Sequence, residues 1–174
     1  MSVKVVLLCE DLQTATFIRR FLLLGTHKQH EIRVEFAPPG KGSGEQWVRD
    51  RYPNELLARR KKNTVLIVGT DADQLSVVDR IATLDRQCMN ENVPVRSTTE
   101  PVIMAVPKRN IETWFVYLRG ENPNEDDTYP KYSYESQCRD DVKVLDEMCR
   151  KQQLRQPVPP SLQAACVEFG RMLK

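Results

Sequence analysis

The sequence contains no long hydrophobic run. Its apolar stretches, at residues 3–9, 64–70 and 101–107, are far shorter than the roughly 20 apolar residues that a transmembrane helix needs. The amino-terminal run is also too short for the apolar core of a signal peptide with its cleavage site, and acidic residues follow it at once. We therefore expect a cytoplasmic protein that has no membrane partner.

The chain also lacks paired cysteines and a strong net charge. Its five cysteines form no CxxC pair, and an odd number scattered this widely is typical of reduced thiols rather than of a disulfide framework. The formal net charge of +2 argues neither for nor against nucleic-acid binding. With 174 residues, 40% hydrophobic and 29% charged, the chain has the size and composition of one globular domain with a single core.

Two phosphate-binding signatures are missing as well. The loop at residues 38–44 contains Gly40 and Lys41 but not the GxxxxGK[ST] spacing of a P-loop, and no glycine fingerprint of a nucleotide-binding domain follows the first apolar run. The loop is either a flexible connector or a backbone that approaches a phosphate beside Lys41.

The first two thirds of the chain alternate apolar runs with helical patterns. The three apolar runs and residues 31–37, which alternate polar and apolar side chains, each predict a strand, and each is followed by a segment with the apolar spacing of a helix. This alternation predicts an α/β, Rossmann-like fold with a mainly parallel four-stranded sheet, right-handed crossovers and flanking helices.

The pattern changes in the last third of the chain. Residues 121–134 carry no periodic apolar pattern and predict a long surface loop or lid. Residues 140–152 and 161–173 predict two short amphipathic helices. We expect an α/β domain over residues 1–120, and a loop and helical extension over residues 121–174 that packs on the sheet or meets a partner.

The most basic part of the chain is helical and contains a proline. Pro53 predicts two helical pieces, at residues 45–52 and 54–62, with the proline in the first turn of the second piece. The basic side chains here join Lys41 as candidates for contact with nucleic-acid phosphates: Arg49, Arg59, Arg60, Lys61 and Lys62. The alternative is a solvated helix end, since the helix dipole favours Lys and Arg there.

Carboxylates directly follow the first and the third predicted strands. Glu10 and Asp11 come after the first strand, and Asp71 and Asp73 come after the third. First and third strands are commonly neighbours in such a sheet, so we expect these side chains to share the crevice at its carboxyl edge, where open α/β sheets bind ligands. The alternative is that one aspartate caps a helix and the other is solvated.

Carboxylates gathered in one crevice indicate a divalent cation. They cannot all stay ionised without one, because like charges raise each other's pKa, and oxygen ligands suit Mg²⁺ or Mn²⁺. Such an ion orients a phosphodiester and lowers the pKa of a coordinated water. Lys108, after the fourth strand, and Lys41 are candidate cationic partners for the transition state. Glu112 is a candidate second-metal ligand or a charge at a helix start.

This acidic pattern resembles a known family. An apolar strand that ends in Glu10, and a later strand that ends in Asp71-Ala72-Asp73, resemble the Toprim domain that topoisomerases, primases and OLD-family nucleases share. Residues 105–115 further resemble small stand-alone Toprim-like proteins of the RloB type, found among bacterial defence genes. The resemblance covers residues 3–118 and not the tail.

The resemblance implies a nuclease that depends on Mg²⁺. It makes Glu10 the general acid or base and a metal ligand, and it makes Asp71 and Asp73 metal ligands. Asp11 stands where many Toprim domains have glycine, and in OLD-like nucleases an adjacent acid can join the metal site. The chain shows no nucleophilic-tyrosine motif of a topoisomerase, so cleavage by metal-activated water is the preferred reaction.

Two other functions stay open. One is a non-catalytic Toprim-like module that binds nucleic acid, or that assembles with a partner such as an ATPase or with a second copy through the helical tail. The other is a response-regulator receiver, because Glu10, Asp11, Asp71 and Lys108 imitate an acidic phosphorylation pocket. Receivers, however, place that lysine after a fifth strand.

Overall fold

A computed structural model describes residues 3–151 and 153–171 of the chain. Within these residues a four-stranded, all-parallel sheet is flanked by six α-helices. The arrangement is α/β and Rossmann-like, with two helices at the carboxyl end of the described chain. The alternation of apolar runs and helical patterns predicted this fold class.

The strands are short, and their order places the first and the third side by side. The bounds are β1 Val5–Cys9, β2 Ile32–Phe36, β3 Val65–Gly69 and β4 Val102–Ala105. The order in the sheet is β2-β1-β3-β4, which confirms the predicted adjacency of β1 and β3. Cys9 lies opposite Gly69 in their register, so the residues that follow these two strands emerge next to each other.

Each strand is followed by a helix, and two more helices come after the fourth unit. The bounds are α1 Leu12–Leu24, α2 Gly44–Lys62, α3 Val77–Asn90, α4 Glu112–Leu118, α5 Arg139–Lys151 and α6 Pro160–Gly170. The helices α5 and α6 correspond to the amphipathic segments predicted in the tail. Residues 152, 172 and 173 of those predicted segments lie outside the described part of the chain.

The helix α2 runs through Pro53, so the prediction of two helical pieces was wrong. A proline inside a helix removes one backbone hydrogen bond and costs about 3 kcal/mol or more. Three side chains on the buried face of α2, Val48, Tyr52 and Leu56, are completely buried. Burial of each such side chain contributes roughly 1.5–3 kcal/mol, which outweighs the local penalty of the proline.

Two hydrophobic cores lie on the opposite faces of the sheet. Successive strand residues point to opposite faces, so Leu7 packs in one core and Leu8 in the other. The first core contains side chains from α1, α4, α5 and α6, and the second contains side chains from α2 and α3.

The helices α5 and α6 pack on the α/β part of the chain. The rings of Phe21 in α1 and Phe169 in α6 have centroids 5.1 Å apart. The indole N–H of Trp114 donates to the Ser161 hydroxyl at 2.8 Å. The core is therefore continuous across residue 120, where the domain division predicted from the sequence falls.

A partly buried ion pair covers the outer edge of β4. Arg96 and Glu168 lie 2.8 Å apart. Arg96 donates to the carbonyl of Val102 at 2.8 Å, and the N–H of Met104 donates to Glu168 at 3.2 Å. These two side chains satisfy backbone groups that a further strand would otherwise pair with.

A search of the described helices for a membrane span found none that is long and apolar enough.

Candidate functional site

A cavity of about 380 Å³ opens at the carboxyl edge of the sheet, where β1 and β3 end. All five acidic residues predicted as metal ligands line this cavity: Glu10, Asp11, Asp71, Asp73 and Glu112. They come from three separate strand ends, and the parallel sheet brings them to one place.

Glu10 joins the end of β1 to the end of β3. Its backbone N–H donates to the carbonyl of Gly69 at 2.9 Å. One carboxylate oxygen accepts from the hydroxyl of Thr70 at 3.0 Å and from the N–H of Asp71 at 2.9 Å. Burial raises the pKa of Glu10 above its ordinary value, although these two hydrogen bonds oppose the shift. A carboxyl group with a raised pKa is suited to transfer protons.

The glycine-rich loop packs against Glu10 through its last residue, Gly44. A Cβ atom at Gly44 would lie 2.5 Å from the Cγ of Glu10 and 2.6 Å from its carbonyl oxygen. Only glycine fits at this position. The loop that the sequence predicts as a connector or a phosphate-binding backbone therefore also fixes the position of Glu10.

Asp71 presents a buried oxygen that has no hydrogen-bond partner among the described residues. This atom is Oδ1, and the same holds for Oδ1 of Asn110, which also lines the cavity. Burial raises the pKa of Asp71 well above its ordinary value, and the charges of Glu10 and Asp11 raise it further. Such a carboxyl group is stable only if it is protonated or if a cation compensates its charge.

Asp11 and Asp73 are bonded to other parts of the protein. Asp11 caps α1, because its carboxylate accepts from the N–H of Thr14 at 2.8 Å. The side chain of Asp73 lies 3.0 Å from Arg80, and its backbone has a left-handed φ of 53°. Neither Asp71 nor Asp73 caps the following helix, since the cap of α3 is Ser76.

Arg80 holds the acidic turn in place, and sequence reasoning missed it. Its side chain is buried in α3 and donates to the carbonyl of Asp71 at 2.8 Å as well as to the Asp73 carboxylate. The guanidinium also lies 2.8 Å from the carboxylate of Glu45, the second residue of α2. Arg80 thus connects the turn after β3 to the amino end of α2.

A signal for Arg80 is present in the sequence. Arg80 comes three residues after Val77 and four residues before Leu84, which places it on the apolar face of α3. A charged residue on such a face is rarely buried unless it is paired. The position of Arg80 on this apolar face therefore predicts a buried arginine with an acidic or backbone partner.

Glu112 lies at the start of α4 and faces the cavity. Only 5% of the residue is exposed, and burial raises the pKa of its carboxyl group. The positive charge of Lys131 opposes this shift. Glu112 is therefore both a charge at a helix start and a member of the acidic cluster, so the two predicted roles are compatible.

Residues 121–134 form one wall of the cavity, and we refer to them as the cavity loop. Thr128 and Lys131 of this loop line the cavity. The ring of Tyr132 stacks on Phe115 of α4 with centroids 4.8 Å apart, and its hydroxyl donates to Asp141 of α5. The predicted surface loop is thus attached to the core beside the acidic residues.

Lys108 is not among the residues that line the cavity. Its ammonium group donates to the carbonyl of Leu75 at 2.6 Å and lies 3.9 Å from Asp126. The next residue, Arg109, has a left-handed φ of 62° and lines the cavity instead, and Lys131 is a second lining cation. The turn after β4 therefore directs the neighbouring side chain to the acidic residues.

The basic residues at the carboxyl end of α2 lie away from the cavity. The helix has 19 residues and is therefore about 28 Å long, and its amino end is the one near Glu10. Arg59 donates to the carbonyl of Thr64 just before β3, and both Arg59 and Arg60 pair with Glu100. These contacts place them at the opposite edge of the sheet.

The other candidate phosphate contacts also lie outside the cavity lining. Lys61 and Lys62 are exposed in the last turn of α2, and Lys41 is exposed in the glycine-rich loop. Arg49 lies 3.3 Å from Glu45 within the first half of the helix. The two arginines paired with Glu100 are structural, whereas these remain candidates only for contact with a ligand larger than the cavity.

No group of three or more His, Cys, Asp or Glu side chains in residues 3–151 and 153–171 is arranged to hold a metal ion. Asp11 is bonded to the first turn of α1, and Asp73 lies 3.0 Å from Arg80. The donor atoms of the cavity nevertheless fit a hard cation. The unpartnered Oδ1 atoms of Asp71 and Asn110 are oxygens of the kind that Mg²⁺ and Mn²⁺ bind.

Comparison of the chain with protein-family models, with curated proteins and with solved structures found no match.

Proposed function

We propose that the protein is a Toprim-like nuclease that binds Mg²⁺ or Mn²⁺ in the acidic cavity and hydrolyses phosphodiester bonds of DNA or RNA. The observation that carries the proposal is the buried Oδ1 of Asp71, which has no hydrogen-bond partner among the described residues and lies in a cavity lined by four further carboxylates. A divalent cation in contact with this oxygen would compensate the charge that burial penalises.

The acidic residues at the two central strand ends would hold the cation. Asp71 and Glu10 are the primary candidates, Asp73 would join them by leaving Arg80, and Asp11 and Glu112 would complete the oxygen set. A bound divalent cation orients the scissile phosphate and lowers the pKa of a coordinated water. The raised pKa of Glu10 suits it to take up or donate the proton that moves during hydrolysis.

Two cations at the cavity supply the contacts to the phosphate. The Nε–H of Arg109 is buried without a hydrogen-bond partner among the described residues, so it is a donor ready for an anionic oxygen. Lys131 lines the cavity from the cavity loop. Cations in these positions stabilise charge that develops on the phosphoryl oxygens. We propose that they take the role that the sequence suggests for Lys108.

Cleavage of labelled single-stranded and double-stranded DNA and RNA, with and without Mg²⁺ or Mn²⁺, tests the proposal. We expect Asp71→Asn and Glu10→Gln to lower the rate about 10²- to 10⁴-fold, the usual contribution of a positioned acid or base. Asp50→Asn and Glu91→Gln are matched controls, since both residues are exposed and lie outside the cavity. The proposal fails if no substrate is cleaved and calorimetry detects no binding of either ion.

A non-catalytic module is the second candidate, and one observation favours it. Among the described residues no group of three or more His, Cys, Asp or Glu side chains is arranged to hold a metal ion, and Asp11 and Asp73 have partners within the protein. Such a module would bind nucleic acid without a metal, through Arg109 and Lys131. Binding of an oligonucleotide that is unaffected by Mg²⁺ and by Asp71→Asn, with no cleavage, would identify it.

A further inference from the structure

Two cysteines that are distant from the cavity face each other between the last two helices. The Sγ atoms of Cys149 in α5 and Cys166 in α6 lie 2.8 Å apart. A disulfide bond is about 2.05 Å long, so a displacement of less than about 1 Å would join the two sulfurs. The other cysteines, Cys9, Cys88 and Cys138, are buried.

The surroundings of this pair favour thiol–disulfide exchange. Both residues are partly exposed, so a small oxidant has access to them. A hydrogen bond joins the two sulfurs, and it lowers the pKa of the Cys149 thiol and raises that of Cys166. The thiolate is the nucleophile in exchange, so Cys149 is the sulfur that reacts first.

The helices that carry the two cysteines also hold the cavity loop. The hydroxyl of Tyr132 donates to Asp141 of α5. The carboxylate of Glu125 accepts from the backbone N–H of Ser161 in α6 at 3.1 Å. The loop residues that line the cavity lie between these two anchors. A covalent link between α5 and α6 would therefore fix both anchors relative to each other.

We propose that Cys149 and Cys166 form a reversible disulfide that joins α5 to α6 and restrains the cavity loop. With a small-molecule disulfide such as oxidised glutathione, the Cys149 thiolate attacks one sulfur and releases one glutathione thiolate. The Cys166 thiolate then attacks the Cys149 sulfur of the mixed disulfide and releases the second glutathione. Two protein thiols are oxidised to one disulfide, and one oxidised glutathione is reduced to two thiols.

The spacing of the cysteines along the sequence does not predict this pair. The two residues are 17 positions apart and belong to different helices, so only the packing of α5 against α6 brings them together. The expectation of reduced thiols therefore describes the resting protein, and the disulfide is a state reached under oxidising conditions. Disulfides of cytosolic proteins are usually transient and of this redox-responsive kind.

The full-length protein, treated with oxidised glutathione and then denatured and alkylated, provides the direct test. We expect tryptic mass spectrometry to show one cross-link between the peptides that contain Cys149 and Cys166, with a protein mass about 2 Da lower and full reversal by dithiothreitol. Glutathione adducts or alkyl groups on both cysteines of the wild type, without a cross-link, would overturn the proposal.

Thermal unfolding and limited proteolysis test the consequence for the loop. We expect oxidation to raise the Tm of the wild type by about 5 °C or more, but to leave that of Cys149→Ser and of Cys166→Ser unchanged. The control variant Cys88→Ala should show the same rise in Tm on oxidation as the wild type. Trypsin should cleave after Lys131 several-fold more slowly in the oxidised wild type. Equal cleavage rates in a cross-linked protein would overturn the restraint of the loop.

Discussion

The carboxylate of Glu10 accepts a hydrogen bond from the backbone N–H of Asp71 at 2.9 Å. The bond forms because β1 and β3 are adjacent and parallel, with Cys9 opposite Gly69 in the register. It brings the charge of Glu10 next to the side chain of Asp71, where it adds to the effect of burial and raises the pKa of Asp71. The sheet thus builds an unfavourable charge arrangement at its carboxyl edge, which a cation would relieve.

We expect Asp71→Asn to stabilise the metal-free protein at neutral pH. A carboxyl group whose pKa is raised on folding contributes stability below its unfolded pKa of 3.8, and that stability is lost as the pH rises through the folded pKa. The neutral amide removes this loss, so we expect Asp71→Asn to gain stability over the wild type as the pH rises. Urea unfolding of both proteins in EDTA, between pH 4 and pH 8, measures it.

Asp71→Asn also shows whether a metal ion stabilises the protein by compensating the charge of Asp71 or by binding elsewhere. Mn²⁺ should raise the unfolding free energy of the wild type and leave that of Asp71→Asn almost unchanged, since ligand binding stabilises only the state that binds. Equal stabilisation of both proteins by Mn²⁺ would place the metal elsewhere. A difference in unfolding free energy between the wild type and Asp71→Asn that does not change as the pH rises above 4 would contradict the burial of an uncompensated Asp71.

We expect Gly44→Ala to disturb the cavity without disturbing the rest of the fold. The new Cβ would lie 2.5 Å from the Cγ of Glu10, so Glu10 must move or the start of α2 must shift. We expect a cost of about 1–3 kcal/mol and a loss of Mn²⁺ affinity. Urea unfolding and calorimetry measure the two effects.

Gly170 provides the matched control for this substitution. It lies in α6, and a Cβ there would meet nothing within 4 Å. Gly170→Ala should therefore be neutral or stabilising by up to about 1 kcal/mol, with unchanged Mn²⁺ affinity. If both alanine variants retain the affinity of the wild type, the glycine-rich loop does not position Glu10.

We expect Arg80→Lys to weaken metal binding through the acidic turn. Lysine keeps the charge but cannot donate at once to the carbonyl of Asp71, to Asp73 and toward Glu45, as the guanidinium does. Asp73 is largely exposed, so its ion pair contributes little, and most of the expected cost of about 2–3 kcal/mol comes from the buried hydrogen bonds.

Urea unfolding and Mn²⁺ calorimetry of Arg80→Lys test this role, with Arg86→Lys as the control. Arg86 lies on the exposed face of the same helix, so its substitution should change the unfolding free energy by less than about 0.5 kcal/mol. A variant of Arg80 that unfolds earlier but binds Mn²⁺ as the wild type does would show that Arg80 supports the fold alone.

The backbone framework of the cavity could be predicted because it depends on short-range patterns. Apolar runs identify β1 and β3, and the parallel sheet forces the residues that follow them to one edge. The acidic pair Glu10 and Asp71 is therefore readable from the sequence. The continuous helix α2 could not be predicted, because the burial of Tyr52 and Leu56 overrides the local effect of Pro53.

Side-chain partners were harder to predict than backbone positions. In the sequence, Arg59 and Arg60 look like part of a phosphate-binding patch. In the structure both guanidinium groups donate to Glu100, some 40 residues later in the chain. Arg80 was missed for the same reason, since its partners come from the turn after β3 and from α2. The position of Arg80 on the apolar face of α3 indicates that it is buried and paired, but the identity of such partners depends on the packing of other elements, as for Glu45 in α2.

The sequence suggests Lys108 as the cation beside the acidic residues, whereas in the structure Lys131 lines the cavity. We expect Lys131→Ala to weaken binding of a labelled oligonucleotide and to slow its cleavage about 10- to 100-fold, because Lys131 lines the cavity. Lys108→Ala, which removes only the bonds to Leu75 and Asp126, should stay within about threefold of the wild type. Fluorescence anisotropy and gel-based cleavage measure both variants. The reverse ranking would mean that Lys108 turns into the cavity when a phosphate binds, and that the role first inferred from its position after the fourth strand belongs to it.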